Sequence, residues 1–144
     1  MSISPTNFPE YRSGIGFDSH PLSEGRRLVL GGVEIPHNRG LSGHSDGDVL
    51  VHAIMDALLG AAALGDKGVH FPSSNPTYKD ISSLILLARV ASLVRTAGWR
   101  ISNVDATMLA QNPRLGPFLE DMRDRVGQAL STPPERIGIK VTTT

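Results

Sequence analysis

Gly43 to Asp66 reads GHSDGDVLVHAIMDALLGAAALGD, and the fold turns on it. A polar cluster, His44-Ser45-Asp46-Gly47-Asp48, gives way to a run rich in Ala and Leu, both strong helix formers. Ser45 followed three residues later by Asp48 is a capping-box-like pair. A helix is therefore expected from Asp48 to about Leu64, with Gly65 as its stop. At 100° per residue, Asp48, His52 and Asp56 share an arc of about 80°, while Leu50, Ala53, Ile54, Ala57 and Ala61 cover the opposite side. An imidazole with carboxylates four residues before and after it is unusual on so apolar a helix. A solvated polar face is the plain reading. A second polar cluster upstream favours a ligand site instead.

That cluster lies in Gly14 to His20 (GIGFDSH), which reads as a short strand with Asp18 and His20 projecting the same way. Gly14-x-Gly16 lacks the third glycine of a phosphate loop and no helix follows it, so that reading is set aside. Residues 1–13 (MSISPTNFPEYRS) show no periodicity and are expected to be a disordered leader, with one domain over 14–144. Pro21 to Gly25 reads as a turn. Arg27 to Ile35 is either one strand bent at Gly31-Gly32 or two strands of a tight hairpin. Pro36 to Gly43 reads as a loop with a surface histidine, His37.

Past the first helix, Asp66 to Asp80 is a long loop of the kind that serves as a lid or binding loop. A second helix is predicted from about Ile81 to Ala97, stopped by Gly98, and a third from about Pro117 to Leu130. Trp99 to Gln111 and Ile137 to Thr144 read as strands. The expectation is an α+β fold, a mixed sheet of four to five strands with three helices packed on it.

Composition narrows the partners. Fourteen Lys and Arg balance fourteen Asp and Glu, so no overall field favours nucleic acid or an anionic membrane. With 144 residues and a hydrophobic fraction of 40%, a single soluble domain is expected. Cysteine is absent, so disulfides and thiolate metal sites are excluded. No apolar run has the length of a membrane span, and a cytoplasmic location is the default.

Asp18-x-His20 on a strand supplies two ligands, and His52 on a helix can supply a third. A carboxylate and two neutral imidazoles suit Zn²⁺ with its fourth position open. Asp48 or Asp56 could orient His52 through its other ring nitrogen. His44 and Ser45 sit at a helix N-terminus, where N–H groups converge on anions. Thr142-Thr143-Thr144 adds three hydroxyls.

Taken together, GFDSH, LGGVEIPH, GLSGHSDGDVLVHAIMDALLGAAALGD, HFP, NVDATMLAQNPRL and IKVTTT closely resemble the methylerythritol cyclodiphosphate synthases of the non-mevalonate isoprenoid pathway. The resemblance spans about Gly14 to Thr144. It implies a homotrimer with active sites between subunits and a cytidyl-diphospho-methylerythritol 2-phosphate substrate. The activity implied is that of a phosphorus-oxygen lyase: the substrate's own phosphate attacks the β-phosphate, closes the cyclic diphosphate and expels CMP. By the same resemblance, Asp18, His20 and His52 match the family's zinc ligands. His44 matches a transition-state stabiliser, with Ser45 beside it on the phosphates. Asp66, Lys67 and Gly68 match the segment holding the methylerythritol unit. Phe71, Pro72, Ser73, Ser74 and Asn75 match the flap, where Lys79 is also a family position. Ala110, Gln111, Asn112, Pro113, Arg114, Leu115 and Gly116 match the loop whose backbone reads cytosine. Thr142, Thr143 and Thr144 match the run against the diphosphate, with Thr143 the proposed stabiliser.

The sequence departs from the pattern in two places. The flap's usual F-P-D-x-D-P is Phe71-Pro72-Ser73-Ser74-Asn75-Pro76 here, so neutral groups replace two carboxylates. The family also continues past Thr144 with a glutamate, a T-G-R-x-E-G segment and a last strand. That glutamate helps hold Mg²⁺ or Mn²⁺ on the diphosphate, so its protein ligand is missing from this sequence. A disordered or removed tail is the expectation. The alternative to an active enzyme is a truncated homologue that binds zinc and substrate without turnover.

Overall fold

The computed structural model describes residues 10–143. Most of the expected leader, residues 1–9, and Thr144 lie outside the described residues. Arg12 lies over the Trp99 ring, 4.1 Å from its centroid.

The first strand, β1 (Leu22–Glu24), pairs antiparallel with β4 (Arg39–Leu41), and between them β2 (Leu28–Leu30) pairs antiparallel with β3 (Val33–Ile35). Of the two readings of Arg27 to Ile35, the hairpin is correct. Gly31 and Gly32 both have positive φ (58° and 74°), the conformation a two-residue primed turn demands. Glycine is required there for space as well. A Cβ on Gly31 would sit 2.7 Å from Met122 Cβ, and one on Gly32 only 2.2 Å from Leu84 Cδ1. Pro21–Gly25 and Pro36–Gly43 hold strands rather than a simple turn and loop, because main-chain pairing overrides their turn-forming composition.

Helix α1 (Val49–Ala61) begins at Asp48, whose own carboxylate accepts from Val51 N. Ser45 is not the cap expected for it, since its hydroxyl faces inward to other partners. The helix also ends before Gly65: Ala62 caps it and Ala63 takes a left-handed φ of 57°. The long loop contains α2 (Lys67–His70), capped by Asp66, and a 3-10 turn (Pro76–Tyr78) capped by Asn75. Helix α3 (Ser83–Thr96) stops at Gly98, whose φ of 90° suits only glycine well. Strand β5 (Val104–Leu109) follows, then a 3-10 turn (Gly116–Phe118), α4 (Leu119–Leu130), a further 3-10 turn (Pro134–Arg136) and β6 (Ile137–Thr142). Strands β5 and β6 run parallel, with α4 as the crossover between them.

The expected single sheet is thus three two-stranded sheets among the described residues, and there are four helices rather than three. Gly14 to His20 is the other correction: despite its strand-like alternation it forms no strand and stays unpaired. The core lies where α1, α3 and α4 meet. Val51, Met55 and Leu59 of α1, Leu87 and Val90 of α3, and Met122, Val126 and Leu130 of α4 are all fully buried. Ile137, Ile139 and Met108 continue that core under the parallel pair. A rigid α1 at the centre is what positions the site.

Candidate metal centre

Two glycines let the Gly14–His20 segment lie directly on α1. A Cβ on Gly14 would fall 1.9 Å from Ala57 O, and one on Gly16 would fall 1.8 Å from Ala53 O. Only a chain without side chains at both positions can approach the helix backbone so closely. Two residues beyond Gly16, Asp18 reaches His52, the fourth residue of α1. Asp18 Oδ2 is 2.9 Å from His52 Nδ1 and 3.0 Å from His20 Nε2, and the two ring nitrogens are 3.3 Å apart. Two bonds of roughly 2.05 Å meeting at the tetrahedral angle separate their donor atoms by about 3.3 Å. The three donors therefore already stand near the edge lengths of a tetrahedral face, and the group could hold a metal ion. Asp18 and His20 are half-buried, and His52 is buried.

Burial lowers the pKa of His52 below its ordinary 6.5; the charge and hydrogen bond of Asp18 oppose this, and Lys67 and His20 add to the lowering. The ring is thereby kept neutral, the form that ligates a metal. Its second nitrogen does not meet Asp48 or Asp56, as the helical arc suggested. His52 Nε2 is 2.9 Å from Ser83 Oγ and 3.0 Å from Ser45 Oγ. Asp48 points away, fully buried, and accepts from Gly31 N, Gly32 N and Val51 N at 3.0, 2.7 and 3.1 Å. Burial pushes its pKa up to about 7, against those three backbone donors. Asp56 instead holds Lys67, through Lys67 N at 2.8 Å and Nζ at 3.1 Å. The same ammonium comes within 3.7 Å of Asp18 Oδ2, so a cation stands beside the three donors.

Several expected site residues gather around this centre. His44 Nε2 donates to Asn75 O at 3.0 Å, and Asp80 N donates back to His44 O at 2.8 Å, which fastens the flap to the start of α1. Ser45 is buried, its hydroxyl committed to His52 and Ser83. Asp66 caps α2, whose exposed Gly68 follows Lys67. Phe71 packs edge-on against Tyr78, and Pro72 is half-buried beside it, while Ser73, Ser74 and Lys79 are exposed. A cleft of about 1290 Å³ joins Asp18 and His20 to Ala110, Gln111, Asn112 and Arg114. Pro113 and Leu115 also line it, though the Leu115 side chain is core; Gly116 opens the next turn. Thr142 ends β6 and Thr143 follows it, both exposed; neither lines that cleft, though Thr142 O accepts at 2.9 Å from Ala110 N at its wall, and Thr144 lies outside the described residues. Ser83 and Asp46 were missed by sequence reasoning. Ser83 is 31 residues from His52, and no spacing rule links a helix-starting serine to a distant imidazole.

The architecture defines a small α+β protein with a two-histidine, one-carboxylate centre at the start of a buried helix. The YgbB family model matches residues 11–144, and the chain belongs to that family. It is 60% identical over 133 residues to the 2-C-methyl-D-erythritol 2,4-cyclodiphosphate synthase of Syntrophomonas wolfei, covering 92% of this chain and 85% of that protein. It is 57% identical over 133 residues to the synthase of Moorella thermoacetica, covering 92% and 82%. Among solved structures, the CDP-bound form of a 2C-methyl-D-erythritol-2,4-cyclodiphosphate synthase superposes with a TM-score of 0.86 at 38% identity, over 92% of this chain and 89% of that one. The bifunctional IspDF of Campylobacter jejuni superposes with a TM-score of 0.88 at 41% identity, over 92% of this chain and 36% of the longer one.

Proposed function

We propose that this chain is an isoprenoid-pathway enzyme, converting 4-diphosphocytidyl-2-C-methyl-D-erythritol 2-phosphate into the 2,4-cyclodiphosphate and CMP. An oxygen of the 2-phosphate attacks the β-phosphorus. The bond from that phosphorus to the bridging oxygen breaks, and CMP leaves with the electron pair. The nucleophile belongs to the substrate, so the protein's work is positioning and neutralising charge. This classes the reaction as a cyclising phosphorus-oxygen lyase.

The observation that carries the reading is the Asp18–His20–His52 cluster, with donor separations of 2.9, 3.0 and 3.3 Å, in a chain whose relatives are synthases. Zn²⁺ is the ion its donor set favours. When bound, it supplies a Lewis acid for a phosphoryl oxygen. Lys67, 3.7 Å from Asp18 and braced by Asp56, adds a fixed positive charge beside the three donors, where it would help neutralise a phosphate. His44 and Thr143 are read as stabilisers of the migrating phosphoryl group, and residues 110–116 as the backbone that reads the base. Mg²⁺ or Mn²⁺ would be a second cofactor, supplying positive charge to the diphosphate when bound. A homotrimer, with sites between subunits, accords with three exposed apolar side chains, Ile15, Phe17 and Leu109. A cytoplasmic location belongs to the same reading; among the described residues no helix is long and apolar enough to cross a membrane.

The test is phosphorus NMR on the protein with its cytidyl diphosphate substrate, Zn²⁺ and Mg²⁺. CMP and the cyclic diphosphate should appear together. Bound substrate with neither product would establish the inactive binder instead.

A further inference from the structure

A neutral imidazole can ligate a metal only through the nitrogen without a proton. Which nitrogen of His52 that is depends on what its far side meets. His52 Nε2 faces two hydroxyls, Ser83 Oγ at 2.9 Å and Ser45 Oγ at 3.0 Å, and a hydroxyl alone does not decide the matter because it donates or accepts equally well. Asp46 breaks the symmetry. Its carboxylate only accepts, and Ser83 Oγ donates to Asp46 Oδ1. With its single proton spent there, Ser83 can only accept from His52 Nε2–H. On the other side, Asp18 Oδ2 lies 2.9 Å from Nδ1 and competes for the proton, so the relay must outweigh it to leave the lone pair on Nδ1. His20 Nε2, 3.0 Å from that oxygen and 3.3 Å from Nδ1, can serve both as donor and lessen that competition.

The arrangement is held from the main chain. Asp46 Oδ2 accepts from Ser83 N at 2.9 Å, Oδ1 accepts from Asp48 N at 3.1 Å, and Asp46 N donates to Ile81 O at 3.1 Å. Ser83 is fully buried and Ser45 nearly so, which shields both partners from solvent. We propose that Asp46 and Ser83 are positioning residues that fix the proton of His52 on Nε2 and so present Nδ1 to the metal. Three stretches of chain are joined by this relay: the entry to α1, α1 itself and the first residue of α3. The inference rests on the metal-centre reading for its purpose, but the proton position can be observed without metal.

Long-range proton–nitrogen NMR of the metal-free protein, labelled at histidine, reads the tautomer directly. Wild type should show the proton on Nε2. Ser83→Ala should show a mixture, because Ser45 alone can donate or accept. Its Zn²⁺ dissociation constant, from competition with a chromogenic chelator, should rise about 10- to 100-fold at unchanged helical content. Asp46→Asn, whose amide can itself donate to Ser83, should shift both readouts the same way. A wild-type proton on Nδ1 overturns the inference, even if neither variant folds. So does a Ser83→Ala protein with wild-type tautomer and wild-type affinity. A wild type that binds no Zn²⁺ would instead overturn the metal centre, and the metal-free spectrum would still decide the tautomer.

Discussion

Replacing Gly16 by alanine should disable the metal centre without touching a ligand. The added Cβ would lie 1.8 Å from Ala53 O, 2.8 Å from Ala53 C and 2.9 Å from Ala57 N. These are backbone atoms of a buried helix, so they cannot swing aside. Real Cβ contacts stop near 3.0 Å, so the segment must lift from α1 by at least 1.2 Å, the difference between 3.0 and 1.8 Å. Asp18 follows two residues later, and metal–ligand distances tolerate only about 0.2 Å. A displacement several times larger removes Asp18 from the set and disturbs His20. Zn²⁺ affinity should therefore fall by more than the roughly 100-fold that loss of a mere supporting contact costs. The overpacking cost, about 1–3 kcal/mol, is partly offset by about 0.4–1 kcal/mol of reduced unfolded-chain freedom, so the fold should survive. Gly60→Ala, on the same helix with nothing within 4 Å of the new Cβ, is the matched control. It should leave metal binding unchanged and stabilise α1 by up to about 1 kcal/mol. Chelator competition gives the affinities and urea unfolding without metal gives the stabilities. Wild-type affinity in Gly16→Ala would refute the claim that close backbone approach sets the ligand geometry.

His52→Ala should abolish Zn²⁺ binding and turnover with α1 intact; full zinc occupancy, measured by elemental analysis, would remove His52 from the ligand set. His44→Ala should keep zinc but slow turnover and free the flap from its bond to Asn75; an unchanged rate would take His44 out of the mechanism. Asp48→Asn should show a distinctive pH dependence. A carboxyl raised from 3.8 to about 7 on folding contributes stability that is full below 3.8 and lost as pH rises through 7. At about 1.4 kcal/mol for each pH unit between those values, wild type should lose about 4 kcal/mol relative to Asp48→Asn from pH 4 to 7.5. His52, with its lowered pKa, has the opposite slope: its contribution is present above 6.5 and lost as pH falls below it. That slope is common to both proteins and cancels in the difference. A pH-independent gap would mean that Asp48 does not titrate in this range.

Much of this molecule was legible because its signals were local. Apolar spacing located α1, α3 and α4, since a helix that buries one face must repeat its apolar residues every three or four positions. Asp18-x-His20 and His52 were readable as a group that could hold a metal because donor type and spacing carry chemistry directly. Paired strands were harder. Strands β1 and β4 lie in stretches rich in Pro, Gly and Ser, and their pairing comes from a partner more than a dozen residues away. The alternation in Gly14–His20 suggested a strand, yet its glycines serve contact with a helix rather than a sheet. The helical arc put Asp48 and Asp56 on the same side as His52, but an arc does not say what each side chain meets. Asp48 reaches a hairpin turn, Asp56 a lysine, and of the two serines that do meet His52 one, Ser83, comes from another helix.

The unpaired state of Gly14–His20 has a consequence for local unfolding. Among the described residues this segment has no main-chain ladder; Ser19 N donates to Asp18 Oδ1 at 3.0 Å, but its amides lack the ladder bonds that shield sheet amides from exchange. Apart from contact with α1, its tether is the pair of side chains, Asp18 and His20, gathered at His52. An ion bound there would close a loop of more than thirty residues between Asp18 and His52. Hydrogen exchange in this stretch should therefore slow as zinc is added while the α1 amides stay protected throughout. The segment would act as a local gauge of metal occupancy, separable from the stability of the whole.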